Sequence, residues 1–352
     1  MGWHRAYSRS NFAGVYVIAV VYLSDLRKAS QDPSLAGLVR SARDPFDRAE
    51  WWNLLARHCD ITPRYVLARD ESDGTALLPL MAGRGVIRPF ANWYTFRWRP
   101  LVSPGADAAR LLAAAFRDLA RNHWRIELRG IPGEDGTAEA LLDALRAAGW
   151  QATISPHDVN HVLPIGGRDY AAYLGGRPGH LRSTLKRKAG RTLCEVLTGF
   201  STDAWATYEA IYAASWKGEE GSPAFLRAFA EAEGAAGRLR LGIGRIDGTP
   251  VAAQMWTVEQ GTAYIHKLAY REDAAAHSPG TTLTAALMAH VIDVDRVELV
   301  DFGTGDDAYK RDWMELARPR YHLSAFQPGD PRSWPHLARQ ALRRLAAARH
   351  DR

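Results

Sequence analysis

The residues best able to do chemistry fall in short runs of the C-terminal half. His277-Ser278-Pro279-Gly280-Thr281-Thr282-Leu283 stands between a strand-like run and an amphipathic helical run. At such a junction the first helical amides lack intrahelical acceptors and the dipole is positive, so the segment can bind an anion such as phosphate. Gly280 lets a ligand approach the backbone, and Ser278, Thr281 and Thr282 offer hydroxyls; the same letters also serve as an ordinary capping sequence. No Lys follows the glycine as in a Walker loop and no GxGxxG is present, which disfavours nucleotide triphosphate hydrolysis and a dinucleotide fold. The run from Asp301 to Trp313 closes the last strand of the pattern, the place where open α/β sheets put ligands. It carries Asp301 and Asp306, Tyr309 as a proton donor, and Lys310 for charge neutralisation; Gly303, Gly305, Asp306 and Asp307 can also be read as a turn and helix cap. His266 and Lys267, in YIHKLAY, are expected to point to opposite sides of a strand. An imidazole has the ordinary pKa nearest neutrality and so makes His266 the first candidate base.

A basic helix is expected from Pro178 to about Arg191. Its Arg182/Lys186 and Arg187/Arg191 pairs are like charges at i,i+4, which favours either an anion across them or a solvated basic face. No aromatics are interleaved with them, so stacking onto nucleic-acid bases has no support.

Strand and turn signals say how these runs are positioned. RLRLGIGRI, PVAAQMWTVE and TAYIHKLAY are three strand-like stretches joined by Asp247-Gly248 and Gln260-Gly261, turns that need positive φ and give a meander. A loop, the helix from Thr281 to Ile292 and a strand from Arg296 to Phe302 follow. The first half repeats this order: strands at Arg64–Ala68, Thr75–Met81 and Gly85–Phe90, an amphipathic helix at Leu111–Leu119, a strand at Trp124–Leu128, and a helix at Thr137–Ala148 with Thr137 as N-cap and Gly149 at C′. Helices at Thr202–Trp216 and Pro223–Glu233 lie between. The stripe Trp205, Tyr208, Ile211, Tyr212 and Trp216 reads as core rather than ligand cage.

The chain has 352 residues, 47% hydrophobic and 24% charged, with 45 Lys+Arg against 39 Asp+Glu for a formal +6. That is material for about two globular cores and excludes wholesale disorder. Cys59 and Cys194 are the only cysteines, too few and too isolated for a disulfide framework or a zinc ribbon, and no carboxylate set is spaced for a metal. Phe12 to Leu23 has the flavour of a signal peptide but lacks a cleavage site and reads better as a buried strand or a misassigned translation start.

Taken together, RPGHLRSTLKRKAGR (Arg177–Arg191), YEAIYAASWKGEE (Tyr208–Glu220), KLAY (Lys267–Tyr270), SPGTTL (Ser278–Leu283) and DFGTGDDAYKRDW (Asp301–Trp313) resemble the GNAT-superfamily acyltransferases of the branch linked with cellulose and exopolysaccharide biosynthesis, related to the Fem-type ligases. The resemblance spans about Pro45 to Phe326 and is carried mainly from Arg177 onward. It implies an α/β fold of two GNAT-like mixed-sheet halves in tandem with flanking helices. The boundaries would be an extension at 1–44, a degenerate half at 45–165, an acetyltransferase half at 166–328 and a basic helix at 329–352. It implies acetyl-CoA or another acyl-CoA as co-substrate, no metal, a small-molecule or glycan-precursor acceptor and a cytoplasmic location. The pantetheine would lie beside Lys267 and Leu268, the pyrophosphate on Ser278, Gly280, Thr281 and Thr282 near Lys310, and the acceptor near Arg182, Lys186, Trp216 and Lys217. The family's pyrophosphate signature, a Gln or Arg followed by spaced glycines, is reduced here to Gly280.

The reaction so implied is direct acyl transfer in a ternary complex, with His266 as base, Asp301 or Asp306 acting through water if burial raises its pKa, and Tyr309 protonating the thiolate. The alternatives are a Fem-like aminoacyl-tRNA-dependent transferase and a non-catalytic GNAT-fold binding protein.

Overall fold

The computed structural model describes residues 17–26, 33–40, 42, 44–83 and 85–350. The chain divides into two compact units, one taking residues up to Ala56, Asp60–Asp158 and the chain from Pro319, the other Arg57–Cys59 and Val159–Arg318.

In the first unit β1 (Ala19–Leu23), β2 (Arg64–Arg69), β3 (Thr75–Ala82), β4 (Val86–Pro89), the short β5 (Leu101–Val102) and β6 (Arg125–Pro132) supply the sheet. β1, β2, β3 and β4 pair antiparallel in order, and β4 runs parallel to β6 for only Val86↔Arg125 and Ile87↔Ile126. Of the stretch Phe12–Leu23, residues 12–16 lie outside the described residues. The rest is a half-exposed edge strand and not the buried one expected, because β1 has a partner only in β2 and Val21 and Tyr22 are both 40% exposed. Helices α1 (Pro33–Arg40), α2 (Ala49–His58), α3 (Ala108–Leu119) and α4 (Thr137–Ala147) complete the first part of this unit. Leu111, Phe116, Leu119, Leu141 and Leu145 from α3 and α4 bury against Val66, Leu78, Leu80, Ile126 and Leu128 of the strands. The N-cap of α4 is Gly136, in the left-handed region, and not Thr137: Asp135 Oδ1 takes the Thr137 amide at 3.0 Å, so the helix starts one residue earlier than a Thr137 cap requires.

β7 (Gln151–Pro164) leaves the first unit and enters the second. There follow α5 (Tyr170–Gly175), α6 (Gly179–Lys188), β8 (Leu193–Leu197), α7 (Thr202–Ala213), α8 (Pro223–Ala235), β9 (Leu239–Ile246), β10 (Thr249–Glu259), β11 (Thr262–Tyr270), α9 (Pro279–Ala289), β12 (Leu299–Thr304), α10 (Ala308–Trp313), β13 (Leu316–Phe326) and α11 (Trp334–His350). The strand order of the second unit is β7-β12-β11-β10-β9-β8. The meander turns form as their residues dictate, with Asp247, Gly248, Gln260 and Gly261 all at positive φ. Leu283, Leu287 and Met288 of α9 and Leu181 and Leu185 of α6 bury with Ala252, Trp256, Ala263 and Ile265. α7 buries Trp205, Tyr208, Ile211 and Tyr212, while Trp216 stands beyond the helix end and is 47% exposed.

The division falls inside β7 and β13, because the C-terminal part of β13 pairs antiparallel with β6 (Ala325↔Ile126, Leu323↔Leu128) and so rejoins the first unit.

Candidate active site in the second unit

β11 and β12 are parallel neighbours for three residues only: Thr262↔Leu299, Ala263↔Val300 and Tyr264↔Asp301. Beyond that they part, and each strand carries its own cause. On β11 the register with β10 jumps from Trp256↔Ile265 to Met255↔Lys267, which makes His266 an inserted bulge residue; bulges bend the strand that carries them. On β12, Asp301 Oδ1 accepts the Gly303 amide at 2.8 Å and Gly303 turns to φ +67, where a side chain is disfavoured. Asn160 donates to the same oxygen at 3.0 Å. Asp301 is 1% exposed, so its carboxylate positions the bend. Among the described residues, no strand pairs with β11 on its β12 side from Ile265 to Tyr270, which leaves a slot with an open peptide edge.

The bulge overturns the expected alternation of His266 and Lys267. Both side chains meet the α7/α8 layer: His266 Nε2 lies 2.8 Å from Thr257 Oγ1 and its ring stands edge-on to Phe229 of α8, while Lys267 Nζ donates to Glu220 at 2.8 Å and lies 5.4 Å from the Tyr212 ring of α7. Leu268 returns to the other face and packs at the border of the α9 core.

At the C-terminal end of β11 the chain turns into α9 through Ser278, held at φ +53 with no side-chain cap bond. Pro279 has no N–H, and among the described residues no protein acceptor takes the amides of Gly280 or Thr281. These bare donors stand at the positive end of a helix, an arrangement able to hold an anion. Gly280 is required there by packing, since a Cβ on it would fall 2.9 Å from Tyr270 Cδ1. Its carbonyl accepts from Gln254 Nε2 (3.0 Å) and Thr284 Oγ1 (2.9 Å), which fixes the first turn on β10. The Thr282 hydroxyl is not available to a ligand as expected: Thr282 is buried and donates to the Ser278 carbonyl at 3.3 Å. Thr281 is half-buried. Lys188, at the end of α6, donates to the Ala276 carbonyl (2.8 Å) and to Ser278 Oγ (3.1 Å) and so brings a cation to this entrance. The basic run pointed to α6, but only the fold selects Lys188 over Arg182 and Lys186, which are exposed on the outer side.

The opposite wall follows β12. Lys310 is buried, donates to the Thr304 and Gly305 carbonyls, and lies 3.4 Å from Asp307. Tyr309 stands edge-on to Phe302 with ring centroids 5.6 Å apart, and burial and then the Asp307 charge push its phenol up to about 12. Asp306 does not meet the condition of a raised pKa that its role as a base through water requires. It is exposed, and hydrogen bonds from Arg311 and from the buried His161 (3.0 Å) hold it below the usual carboxylate range. Trp216 packs on Tyr270 with centroids 4.4 Å apart, which places the α7–α8 loop beside the α9 entrance. Lys217 follows it; desolvation and then the Lys267 charge lower its ammonium to about 8. Cys194 is pushed up to about 11 by burial, which opposes thiolate chemistry.

The corresponding place in the first unit is closed by its own residues. Trp98 donates its amide to the Gly130 carbonyl (3.0 Å) and its indole N–H to the Pro79 carbonyl (2.7 Å) beside the short β4/β6 pair, and the Asp107 carboxylate takes the Arg110 amide at the start of α3. The depression of about 330 Å³ lined by Arg146, Gly149, Trp150, Gln151 and Ala152 also belongs to the first unit and offers no acid–base pair.

Residues 180–311 match the family model described as the acetyltransferase (GNAT) domain. No curated protein matches the chain. Among solved structures it is similar to FemX (12% identity, TM-score 0.59, 84% of this chain and 95% of that one). It is also similar to a tandem GNAT protein from the clavulanic acid biosynthesis pathway (16%, 0.56, 89% and 100%). A third similar structure is the C-terminal domain assigned to a lysylphosphatidylglycerol synthetase of Agrobacterium fabrum (17%, 0.57, 86% and 93%). The fold is therefore that of tandem GNAT proteins, mixed α/β in both units. Among the described residues no helix is long and apolar enough to cross a membrane, and no group of three His, Cys, Asp or Glu is placed to hold a metal ion.

Proposed function

We propose that the second unit transfers an acyl group from acyl-CoA directly to an amine or hydroxyl of a small-molecule or glycan-precursor acceptor. The observation that carries this is the parting of β11 from β12 with the bare amides of Gly280 and Thr281 at the mouth of the opening. When bound, acyl-CoA supplies the activated thioester. The amides of Gly280 and Thr281, with Lys188, hold its diphosphate, and the open edge of β11 offers peptide groups to its extended arm. His266, at the bulge, takes the proton that the attacking amine must lose; Tyr309, protonated throughout the neutral range, returns one to the departing sulfur. Asp301 shapes the slot and exchanges no proton.

The test is release of free CoA from acetyl-CoA in the presence of an acceptor panel that includes amino acids and amino sugars. Turnover that depends on both partners supports the reading; binding of acetyl-CoA without turnover on any acceptor supports a non-catalytic role instead. A second reading, transfer from aminoacyl-tRNA, is favoured by the exposed Arg182, Lys186 and Arg187 on the outer side of α6. It requires that tRNA compete with CoA, and CoA affinity indifferent to tRNA removes it.

A further inference from the structure

Three lysines from three elements lie near one another: Lys267 on β11, Lys310 on α10 and Lys217 on the α7–α8 loop. Two carboxylates lie among them, and each is taken. Glu220 is 2.8 Å from Lys267 and Asp307 is 3.4 Å from Lys310. Lys217 feels all four of these groups, and among the described residues its ammonium has no hydrogen-bond acceptor, only the Trp216 ring at 5.6 Å. Pairing these charges therefore leaves one cation over, the exposed Lys217, next to a tryptophan that packs on Tyr270 at the strand end. Lys217 is exposed and sits beside like charges, and an incoming anion would offset their repulsion.

We propose that Lys217 recognises an anionic group of the acceptor, so that the acceptor carries a carboxylate or a similarly compact anion close to its nucleophile. Its partner cations stay engaged by Glu220 and Asp307, which keeps the recognition to a single charge. The proposal rests on the acyl-transfer reading of the same cleft and deepens it.

Malonate is the probe. The full chain, saturated with CoA, is titrated with malonate by calorimetry, alongside acyl transfer to α-amino acids and to their carboxamides. Wild type binds malonate; Lys217→Ala weakens it about tenfold, equivalent to about 1.4 kcal/mol, and lowers the amino acid to amide ratio of kcat/KM by a similar factor. Lys217→Arg keeps both within about threefold, because it retains the charge. Absence of malonate binding by wild type, or equal affinity in Lys217→Ala, overturns the proposal. Loss of kcat in Lys217→Arg with malonate affinity intact overturns it in favour of proton transfer by this lysine. Should CoA itself fail to bind, the donor reading fails, and malonate titration without CoA still decides the role of Lys217.

Discussion

Thr281→Asp separates the anion site from the stability of the helix that forms it. Thr281 is the third residue of α9, in the first turn, where a carboxylate complements the dipole and stabilises a helix by about 0.3–1 kcal/mol. The same carboxylate repels a diphosphate bound to the Gly280 and Thr281 amides. With two charges about 5 Å away and an effective dielectric of about 40–80 at a half-exposed entrance, the repulsion is about 2–3 kcal/mol, or an affinity loss of about 30-fold to 150-fold. The two effects have opposite signs, so a folding defect cannot imitate the result. Calorimetry should show CoA binding weakened by this factor, thermal unfolding unchanged or slightly raised, and pantetheine, which lacks the diphosphate, binding as to wild type. CoA affinity within threefold of wild type, or a parallel loss for pantetheine, would refute the assignment of these amides.

Lys188→Ala should weaken CoA binding about threefold to tenfold with little change in stability, and the difference should shrink in high salt, because an exposed cation at the entrance is screened. One CoA should bind per chain, measured as calorimetric stoichiometry, since Trp98 and Asp107 close the equivalent place in the first unit; a stoichiometry of two contradicts that closure. Glu127 of β6 is held down at about 2: burial opposes ionisation, but hydrogen bonds from His322, Ser324 and Arg125 outweigh it. A depressed carboxylate contributes stability above its unfolded pKa near 4.3 and loses it as pH falls toward 2. Acid unfolding should therefore lose about 3 kcal/mol over that window in wild type, and Glu127→Gln should flatten this limb. An unchanged acid limb in the variant sinks the assignment.

The architecture was legible where local chemistry forces it. Asp247-Gly248 and Gln260-Gly261 could only be tight turns, and Gly149 could only end α4 in the left-handed region. The α9 entrance was legible for the same reason, because a strand followed by Ser-Pro-Gly-Thr leaves amides unpaired whatever lies around it. What was hidden depends on neighbours. YIHKLAY alternates without interruption as a string, and only the register with β10 makes His266 a bulge and turns it to the side of Lys267. The hydroxyl of Thr282 was lost to its own helix, a competition that residue type alone does not settle. That Asp301 also holds the bend of β12 through the Gly303 amide has no signal in its residue type, and Lys188 becomes prominent only when α6 docks against the loop before α9. The return of β13 to β6 is a long-range pairing with no local signature at all.

The most direct measurement of the central claim is the amide NMR spectrum of the full chain labelled with ¹⁵N at glycine and threonine, titrated with CoA. The amides of Gly280 and Thr281 should both move on binding and saturate at one CoA per chain, and pantetheine should leave them in place. CoA binding that perturbs other residues while these two signals stay still would contradict it.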